Sequence, residues 1–216
     1  MAVMSVNPTR MELTNLKKKL VTARRGHSLL KDKRDELMRQ FLLLVKENMA
    51  LRKKVESSLK TVNTHMSLAH SVMDENEIDV ALMLPQQKVE IDVKSKNIMS
   101  VNVPVFNPEY RSLDEGDVYS YGFAFTSCDL DIAVSGFTDI LPDLIKLAEV
   151  EKQCQLLSAE IERTRRRVNA LEHVMIPQYE ETIRYITMKL DENERSSITR
   201  LMKIKDMMIK EALGNK

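Results

Sequence analysis

The densest group of side chains able to bind an anion or a partner is a run of arginines: Arg163, Arg165, Arg166 and Arg167. Guanidinium groups bind carboxylates and phosphates through two parallel hydrogen bonds, so the group indicates a binding surface. Successive helical residues point about 100° apart, so these side chains cannot share one face. Three interpretations stay open: a solvated face with pairs to Glu160 and Glu162, a collar that docks on carboxylates of a partner, and a phosphate site.

Histidines and cysteines do not form a catalytic or metal-binding pattern. The histidines are His27, His65, His70 and His173. His65 and His70 are five residues apart and would lie on different helix faces, and no cluster of cysteine or acidic residues completes a set of metal ligands. No nucleophile can be paired with an adjacent base. We therefore expect a non-enzymatic protein with no catalytic residue, no metal and no cofactor.

Nucleotide and nucleic-acid binding find little support in the sequence. The run G-x-x-x-x-G-K-[ST], which holds phosphates in nucleotide-binding loops, is absent around all five glycines. The net charge is +1, from 33 basic and 32 acidic residues, which does not favour bulk binding to nucleic acid or to a membrane surface. The absence of Trp and the small share of aromatic residues also weigh against a nucleic-acid site.

Hydropathy and cysteine usage indicate a cytoplasmic protein. The first ten residues lack the apolar run of a signal peptide, and no stretch approaches the roughly 18 apolar residues of a membrane span. Cys128 and Cys154 lie far apart and form no redox or metal pair, which favours a reducing compartment. We expect association with a membrane only through partners.

A heptad pattern predicts a first long helix. It carries no catalytic residue, but a narrow apolar stripe, here called the seam, runs along one of its faces. Steps of three and four from Leu13 to Val55 meet apolar residues at ten of thirteen positions, which is typical of a left-handed coiled coil. The predicted seam residues are Leu13, Leu16, Leu20, Leu30, Leu37, Phe41, Leu44, Leu51 and Val55. The other seam positions include Arg34 and Asn48, interpreted as polar residues that set the pairing register.

The start of this helix carries capping signals. Asn7 is a good cap, Pro8 suits the first helical position, and Thr9 with Glu12 forms an overlapping capping box. No proline follows until Pro85, so the helix is predicted to continue to about Asn76. Gly26 in its interior costs about 1 kcal/mol relative to alanine, which either a close approach of a partner backbone or simple tolerance would explain.

A second long helix carries the same alternation near the other end of the chain. Its predicted seam residues are Leu157, Ile161, Val168, Leu171, Ile183, Ile186 and Leu190. After Met175 the seam slips by one residue, and this stutter brackets Pro177, which predicts a bend. The seam is expected to resume through Leu201, Ile204 and Met208, and Gly214 is the predicted stop.

The centre of the chain has β character. Two alternating runs predict short strands that pair as a hairpin, with apolar residues Val89, Ile91 and Val93 in the first and Val101, Val103 and Val105 in the second. The alternation implies one packed face and one wet face. Pro104 restricts its strand to an edge, and Asn107-Pro108, Gly116 and Gly122 are interpreted as loops. Thr126 or Ser127 is expected to cap the next helix.

Together these patterns predict a mainly α fold: two long helices in an antiparallel left-handed coiled coil, with a small central module that contains a β-hairpin. Each seam is too narrow for a globular core, and the nearest partner for one helix is the other. The predicted parts are an N-terminal helix (1–76), a central module (77–126) and a C-terminal helix (127–216). This register places Leu20 opposite the segment from Leu201 to Ile204.

Five segments carry a family resemblance: NPTRMEL (7–13), RGHSLLKDKRDELMRQF (25–41), KNIMSVNVPVF (96–106), LPDLIKLAEVEK (141–152) and TRRRVNALEHVMIPQYEETIRYITMKLDENER (164–195). In this order, and over nearly the whole chain, they resemble the D subunit of the V-type or A-type rotary ATPases in its bacterial form. The segment from about 107 to 120 and the extreme C-terminus match less well.

The resemblance implies a central rotor shaft whose tip lies in a hexamer of alternating catalytic and regulatory nucleotide-binding subunits. It also implies a small partner on the shaft, the F subunit, and a funnel-shaped subunit that links the shaft to the membrane ring, which carries H⁺ or Na⁺. ATP hydrolysis or synthesis would then occur on the hexamer. Two alternatives stay open, a structural coiled-coil scaffold without rotation and a nucleic-acid-binding protein that uses Lys17, Lys18, Lys19 and the arginines.

Overall fold

The computed structural model describes residues 4–84, 87–111, 118–122 and 126–214 of this chain. Its elements are α1 (Arg10–Val72), α2 (Glu75–Leu82), β1 (Lys88–Ile98), β2 (Val101–Arg111), α3 (Cys128–Ala170), a π-helical segment (Leu171–Met175) and α4 (Ile176–Gly214). The prediction of a mainly α protein with two long helical stretches and a small antiparallel hairpin is confirmed. Gly116, interpreted as a loop residue, lies outside the described residues.

Hydroxyl side chains cap the long helices at their N-terminal ends. The Glu12 amide donates to Thr9 Oγ1 at 3.2 Å, so Thr9 is the residue that caps α1. Pro8 therefore precedes the cap, and its predicted place at the first helical position is wrong. At α3 the Leu130 amide donates to Ser127 Oγ at 3.3 Å, which makes Ser127 the cap of the two candidates.

The chain divides into two compact units, one formed by residues 1–35 and 162–216 and the other by residues 36–161. In the first unit, antiparallel pairing is shown by contacts whose residue numbers rise on one helix as they fall on the other. Arg10 pairs with Glu194 at 3.7 Å and Arg24 with Glu180 at 2.6 Å. Residues with relative exposures of 1% or less form its interior: Leu16, Thr164, Val168, Thr182 and Ile186.

These ion pairs correct the predicted register of the first unit. Because Arg10 faces Glu194 and Arg24 faces Glu180, Leu20 lies opposite residues near 184. The expected position of Leu20 opposite Leu201 to Ile204 is wrong by about 18 residues, or nearly 27 Å of helix. The expected continuation of the seam is also wrong, since Leu201 is 65% exposed and Ile204 is 48% exposed.

The second unit is also built from antiparallel helices. Lys54 pairs with Asp143 at 2.6 Å and Glu47 with Lys146 at 3.9 Å, which brings α1 beside α3. Three apolar clusters fill its interior. They contain Leu37, Val101, Val103, Leu157 and Ile161; Val55, Val62, Ala133 and Ile140; and Ala69, Met73, Ile78, Ala81 and Leu130.

Of the seam residues predicted between Leu13 and Val55 and between Leu157 and Leu190, the structure places none in an exposed position. Seven are buried: Leu16, Leu37, Val55, Leu157, Ile161, Val168 and Ile186. The remainder are half-buried: Leu13, Leu20, Leu30, Phe41, Leu44, Leu51, Leu171, Ile183 and Leu190. The polar position Arg34 is also half-buried, and its guanidinium binds Asp35 on the same helix at 2.7 Å.

A π-helical turn lies where the seam slips. The Ile176 amide donates to the Leu171 carbonyl, five residues back instead of four. Pro177 follows directly, and a proline ring in a regular α-helix would crowd the carbonyl four residues before it and leave that carbonyl without a donor. The wider turn takes up one additional residue, which accounts for the slip after Met175.

The hairpin is longer than predicted, and Asn107-Pro108 lies inside β2 rather than in a loop. The pairing Val93↔Phe106 and Ser95↔Pro104 explains why this strand accepts prolines. The Phe106 amide points away from β1 and donates to Glu149 Oε2 at 3.2 Å. Pro104 and Pro108 lie two residues to either side of Phe106, so their backbone nitrogens also point away from β1. Neither proline therefore costs the sheet a hydrogen bond.

The hairpin turn is formed by two residues other than glycine, although both adopt a positive φ. Met99 has φ 48° and Ser100 has φ 72°, the left-handed conformation that two-residue hairpin turns require. The Asn97 side chain stabilises this turn, since its Oδ1 accepts from the Ser100 amide at 3.0 Å and its Nδ2 donates to Asn102 Oδ1 at 2.7 Å. Met99 packs against the cluster that contains Leu37 and Leu157, which holds the turn against the helices.

Substitution of two helical glycines by alanine should have opposite effects on the stability of the protein. A Cβ at Gly136 would lie 2.5 Å from Val62 Cγ2, and Val62 is a buried β-branched residue with little freedom to move. We expect Gly136→Ala to destabilise the protein by about 1–2 kcal/mol, because overpacking exceeds the gain in helix propensity. At Gly26 no atom lies within 4 Å of an added Cβ, so Gly26→Ala should stabilise by about 1 kcal/mol.

The measurement is urea unfolding followed by circular dichroism, with Gly26→Ala as the matched control for propensity alone. Stabilisation by both substitutions would contradict the close approach of α1 and α3 at Gly136.

Candidate partner-binding surfaces

The hairpin presents one face to the helices and the other to solvent. Val101 and Val103 are buried against α1 and α3, whereas Ile91 is 47% exposed and Val93 is 60% exposed. Side chains directly opposite in the pairing share a face, so Val93 lies with Phe106 and Ile91 with Pro108. The two predicted apolar sets therefore lie on opposite faces of the sheet, and the apolar set of β1 faces solvent.

Polar contacts, here called the Glu149 clamp, attach β2 to α3. Glu149 Oε2 accepts from the Phe106 amide, and Glu149 Oε1 accepts from Gln153 Nε2 at 2.9 Å. Gln153 Nε2 also donates to the Pro104 carbonyl at 3.3 Å. The clamp gives a hydrogen-bond partner to the outward N–H of Phe106 and to the carbonyl of Pro104, two backbone groups that β1 does not pair.

The second half of α4 is exposed on all sides. Every residue from 191 to 210 is exposed, and the segment is rich in large apolar residues: Ile198, Leu201, Met202, Ile204, Met207, Met208 and Ile209. We call these seven residues the α4 apolar band. Contiguous exposed apolar surface of this kind marks an interaction site, since a soluble protein rarely leaves it in water.

The arginine cluster lies on the solvent side of α3. Thr164 and Val168 are both 1% exposed and define the inner face of this turn. Arg165, Arg166 and Arg167 fall between them and are exposed, as is Arg163 just before them. Arg166 forms an ion pair with Glu162 four residues earlier, as the solvated-face interpretation requires. The cluster therefore presents charge around most of the outer surface of this turn.

A further group of exposed apolar residues lies at the C-terminal end of α1 and near the C-terminal end of α2. Val72, Val80, Met83 and Leu84 are each more than 70% exposed. A cavity of about 640 Å³ lies beside α2 and is lined by Tyr121 among others. The Tyr121 hydroxyl donates to Asp131 at 2.8 Å, and partial burial together with this carboxylate raises the pKa of the phenol.

The histidines take part in contacts between helices. His27 lies 3.4 Å from Glu172 and His65 lies 3.1 Å from Asp129, each a bridge between α1 and the returning chain. Within the described ranges no group of three or more His, Cys, Asp or Glu side chains could hold a metal ion. Cys128 and Cys154 are free thiols, and burial, with Glu151 and Glu47 nearby, raises the pKa of Cys154.

None of the helices in the described part of the chain has the length and apolar content needed to cross a membrane.

Comparison with known proteins decides the family. The model of the family described as the D subunit of ATP synthase matches residues 12–206. The chain belongs to this family.

Three curated relatives extend the match to almost the full length, and each is named as the D subunit of a V-type ATP synthase. The relative from Acetivibrio thermocellus is 59% identical over 212 residues, which cover 98% of this chain and 96% of the relative. The one from Clostridioides difficile is 56% identical over 216 residues (100% and 97%), and the one from Thermoanaerobacter sp. is 58% identical over 210 residues (97% and 100%). The resemblance to the bacterial form of the D subunit is therefore confirmed.

Sequence reasoning about this member of the D-subunit family misses the Glu149 clamp and the free α4 apolar band. Glu149 and Gln153 are four residues apart, which is compatible with one helix face, but no pattern relates them to a strand 43 residues away. The apolar spacing of the band is helical and for that reason predicts a seam. The signal that could have revealed the exposed band is the extent of α1. This helix begins at Arg10, which pairs with Glu194, so residues of α4 far beyond Glu194 have no part of α1 beside them.

Removal of the Glu149 carboxylate should loosen β2 from α3. Glu149→Ala leaves the Phe106 amide without an acceptor and leaves Gln153 Nε2 with only the Pro104 carbonyl, so we expect a loss of about 1–3 kcal/mol in the free energy of unfolding. Amide hydrogen exchange at Phe106 should accelerate at least roughly tenfold. Glu151→Ala, an exposed carboxylate two residues along the same helix, serves as the control and should change stability by less than about 0.5 kcal/mol. Equal effects of the two substitutions would show that the clamp does not hold the strand.

Proposed function

We propose that this protein is the central-stalk rotor subunit of a V/A-type rotary ATPase and has no catalytic role of its own. The observation that carries the proposal is the similarity over 98% of the chain to the D subunit of a V-type ATP synthase at 59% identity. In this role the protein couples ATP hydrolysis or synthesis in a nucleotide-binding hexamer to rotation of a membrane ring that transports H⁺ or Na⁺. The protein itself resides in the cytoplasm, peripheral to the membrane.

The exposed surfaces suit the partners that such a complex contains. The α4 apolar band is suited to the cavity of the hexamer of catalytic and regulatory subunits, because that cavity would cover surface that this chain leaves in water. Arg163, Arg165, Arg166 and Arg167 would contact carboxylates of the same hexamer. The remaining exposed apolar surfaces are suited to the small F subunit and to the funnel-shaped subunit that reaches the membrane ring.

Rotation follows from the lack of symmetry of a single chain inside a ring. Each of three otherwise equal nucleotide sites meets a different side of the stalk, so the sites adopt different conformations. A change of nucleotide at one site changes which orientation of the stalk has the lowest free energy, and the stalk turns. This is coupling between distant sites through an element with discrete arrangements.

Contacts between the helices are suited to torque transmission. Arg10–Glu194 and Arg24–Glu180 join α1 to α4, and Lys54–Asp143 joins α1 to α3. Relative sliding of the helices would separate these charges and expose seam residues such as Leu16 and Leu157. Each exposed ion pair contributes only about 0.2–1 kcal/mol, so the resistance to sliding comes mainly from the buried apolar residues.

Reconstitution distinguishes a rotor from a structural coiled-coil scaffold. The tagged chain is mixed with purified catalytic and regulatory subunits of its own complex, and rotation of a bead attached to the chain is recorded in the presence of ATP. A rotor assembles into a complex of defined mass and turns in one direction. Assembly without rotation supports the scaffold, and absence of any complex with these subunits would refute the proposal.

Charge removal should test the arginine cluster. Replacement of all four arginines by glutamine should weaken assembly with the hexamer roughly 10-fold at low salt, because several weak carboxylate contacts are lost together. The difference from the natural sequence should shrink as salt rises, since salt screens exposed charges. The isolated variant should stay folded, as shown by an unchanged circular dichroism spectrum. Unchanged affinity at low salt would assign the cluster to a solvated face.

Polar substitution in the α4 apolar band should affect assembly but not folding. We expect Leu201→Ser with Met208→Ser to leave the thermal midpoint of the isolated chain nearly unchanged, because both side chains are already exposed. Affinity for the hexamer should fall roughly 10- to 100-fold, from the loss of apolar burial in the complex. Leu68→Ser, at an exposed residue of α1, is the control. An affinity equal to that of the control would exclude the band from the interface.

A further inference from the structure

The two outer edges of the hairpin differ in how readily another strand could pair with them. The outer edge of β2 is closed, because its Phe106 amide binds Glu149 and because Pro104 and Pro108 have no N–H to offer. Prolines and a covering helix are recognised devices that prevent another strand from pairing with an edge. The outer edge of β1 contains no proline among its eleven residues. Its charged residues, among them Lys94 and Lys96, deter an unmatched strand, so a strand that pairs there must carry complementary groups.

The pairing identifies which β1 groups point outward. Val93 is opposite Phe106, whose N–H points away from β1, so Val93 also directs its N–H and C=O away from β2. The alternation then places Ile91 and Ser95 in the same orientation. In the part of the chain that the structure describes, β1 pairs with no strand other than β2. These three residues thus offer a row of backbone donors and acceptors.

Side chains beside this open edge are apolar on one face and charged on the other. Ile91 and Val93 project on the solvent face next to Phe106 and Pro108. The opposite face carries Asp92, Lys94 and Lys96, which alternate with them along the strand. Lys94 binds Asp92 at 3.5 Å, and Lys96 pairs with no carboxylate among the described residues.

We infer that the outer edge of β1 accepts an extended strand from another subunit of the same complex, which makes the sheet three-stranded. This inference rests on the proposed function. The chemistry of the site defines the strand: apolar side chains opposite Ile91 and Val93, a basic side chain opposite Asp92, and acidic side chains opposite Lys94 and Lys96. Strand addition of this kind supplies affinity from main-chain hydrogen bonds and specificity from alternate side chains.

Amide hydrogen exchange, resolved to single residues, tests the inference in the assembled complex. In the free chain the outward amides of Ile91, Val93 and Ser95 should exchange fast, whereas the amides of Lys94 and Lys96, which donate to β2, should be slow. On assembly the three outward amides should slow roughly 100-fold, because a new hydrogen bond must open before exchange. The amides of Lys94 and Lys96 should change far less.

A pair of variants separates backbone pairing from side-chain contact. Val93→Pro removes an outward N–H without removing a bond to β2, as Pro104 and Pro108 do on the neighbouring strand. Val93→Ala keeps the N–H and removes most of the apolar side chain. We expect Val93→Pro to abolish the protection of Ile91 and Ser95 on assembly and Val93→Ala to retain it. Slow exchange at Lys94 and Lys96 in the proline variant confirms that its hairpin is intact.

Three results would overturn the inference. Fast exchange at Ile91, Val93 and Ser95 in a complex that has assembled would show that no strand is added, while the proposed function stands. Protection that appears in the chain alone and grows with its concentration would identify a second copy as the occupant. Failure to assemble at all would refute the proposed function, and this inference with it.

Discussion

Burial of one narrow apolar stripe on each long helix is the constraint on which this structure depends. A stripe of this width cannot enclose a globular core, and it is too apolar to remain in water. The chain meets the constraint by returning antiparallel to itself, so that Leu16, Leu37 and Leu157 become almost fully buried while most of the residues between them stay exposed. Length follows from this solution, because a narrow seam gains stabilisation only by extending along the helices.

Polar groups decide where the apolar stripes meet. Thr182 is fully buried yet satisfied, because its hydroxyl donates to the Gln178 carbonyl and accepts from the Met4 amide. Gln153 behaves similarly at the hairpin. An apolar seam alone tolerates sliding by a heptad, since every heptad resembles the next. Groups that must find one particular partner remove that freedom, as an unpaired buried group costs about 1–3 kcal/mol.

Periodicity in the sequence predicts the two long helical stretches, the hairpin and the slip near Pro177, since all are local consequences of side-chain spacing. It does not predict the end of α1 at Val72 or the short helix α2 that follows. It does not predict register, because heptads match one another equally well at many offsets; the error at Leu20 is of this kind. It also misassigns Asn107-Pro108 to a loop, since the cost of a proline in a strand depends on which neighbour its missing N–H would have faced. The Glu149 clamp joins residues distant in sequence and has no local signature at all.

The π-helical turn at Leu171–Met175 has a consequence for angular alignment. One residue taken up by a wider turn changes the direction in which every later side chain points by roughly 100°. The solvent-facing groups of α4 therefore have an azimuth that depends on a single turn far from them along the chain. Loss or gain of one residue there would leave composition, hydropathy and helix content almost unchanged. It would nevertheless rotate the outward-facing residues of α4 about the helix axis, so that a different side of this helix meets whatever surrounds it.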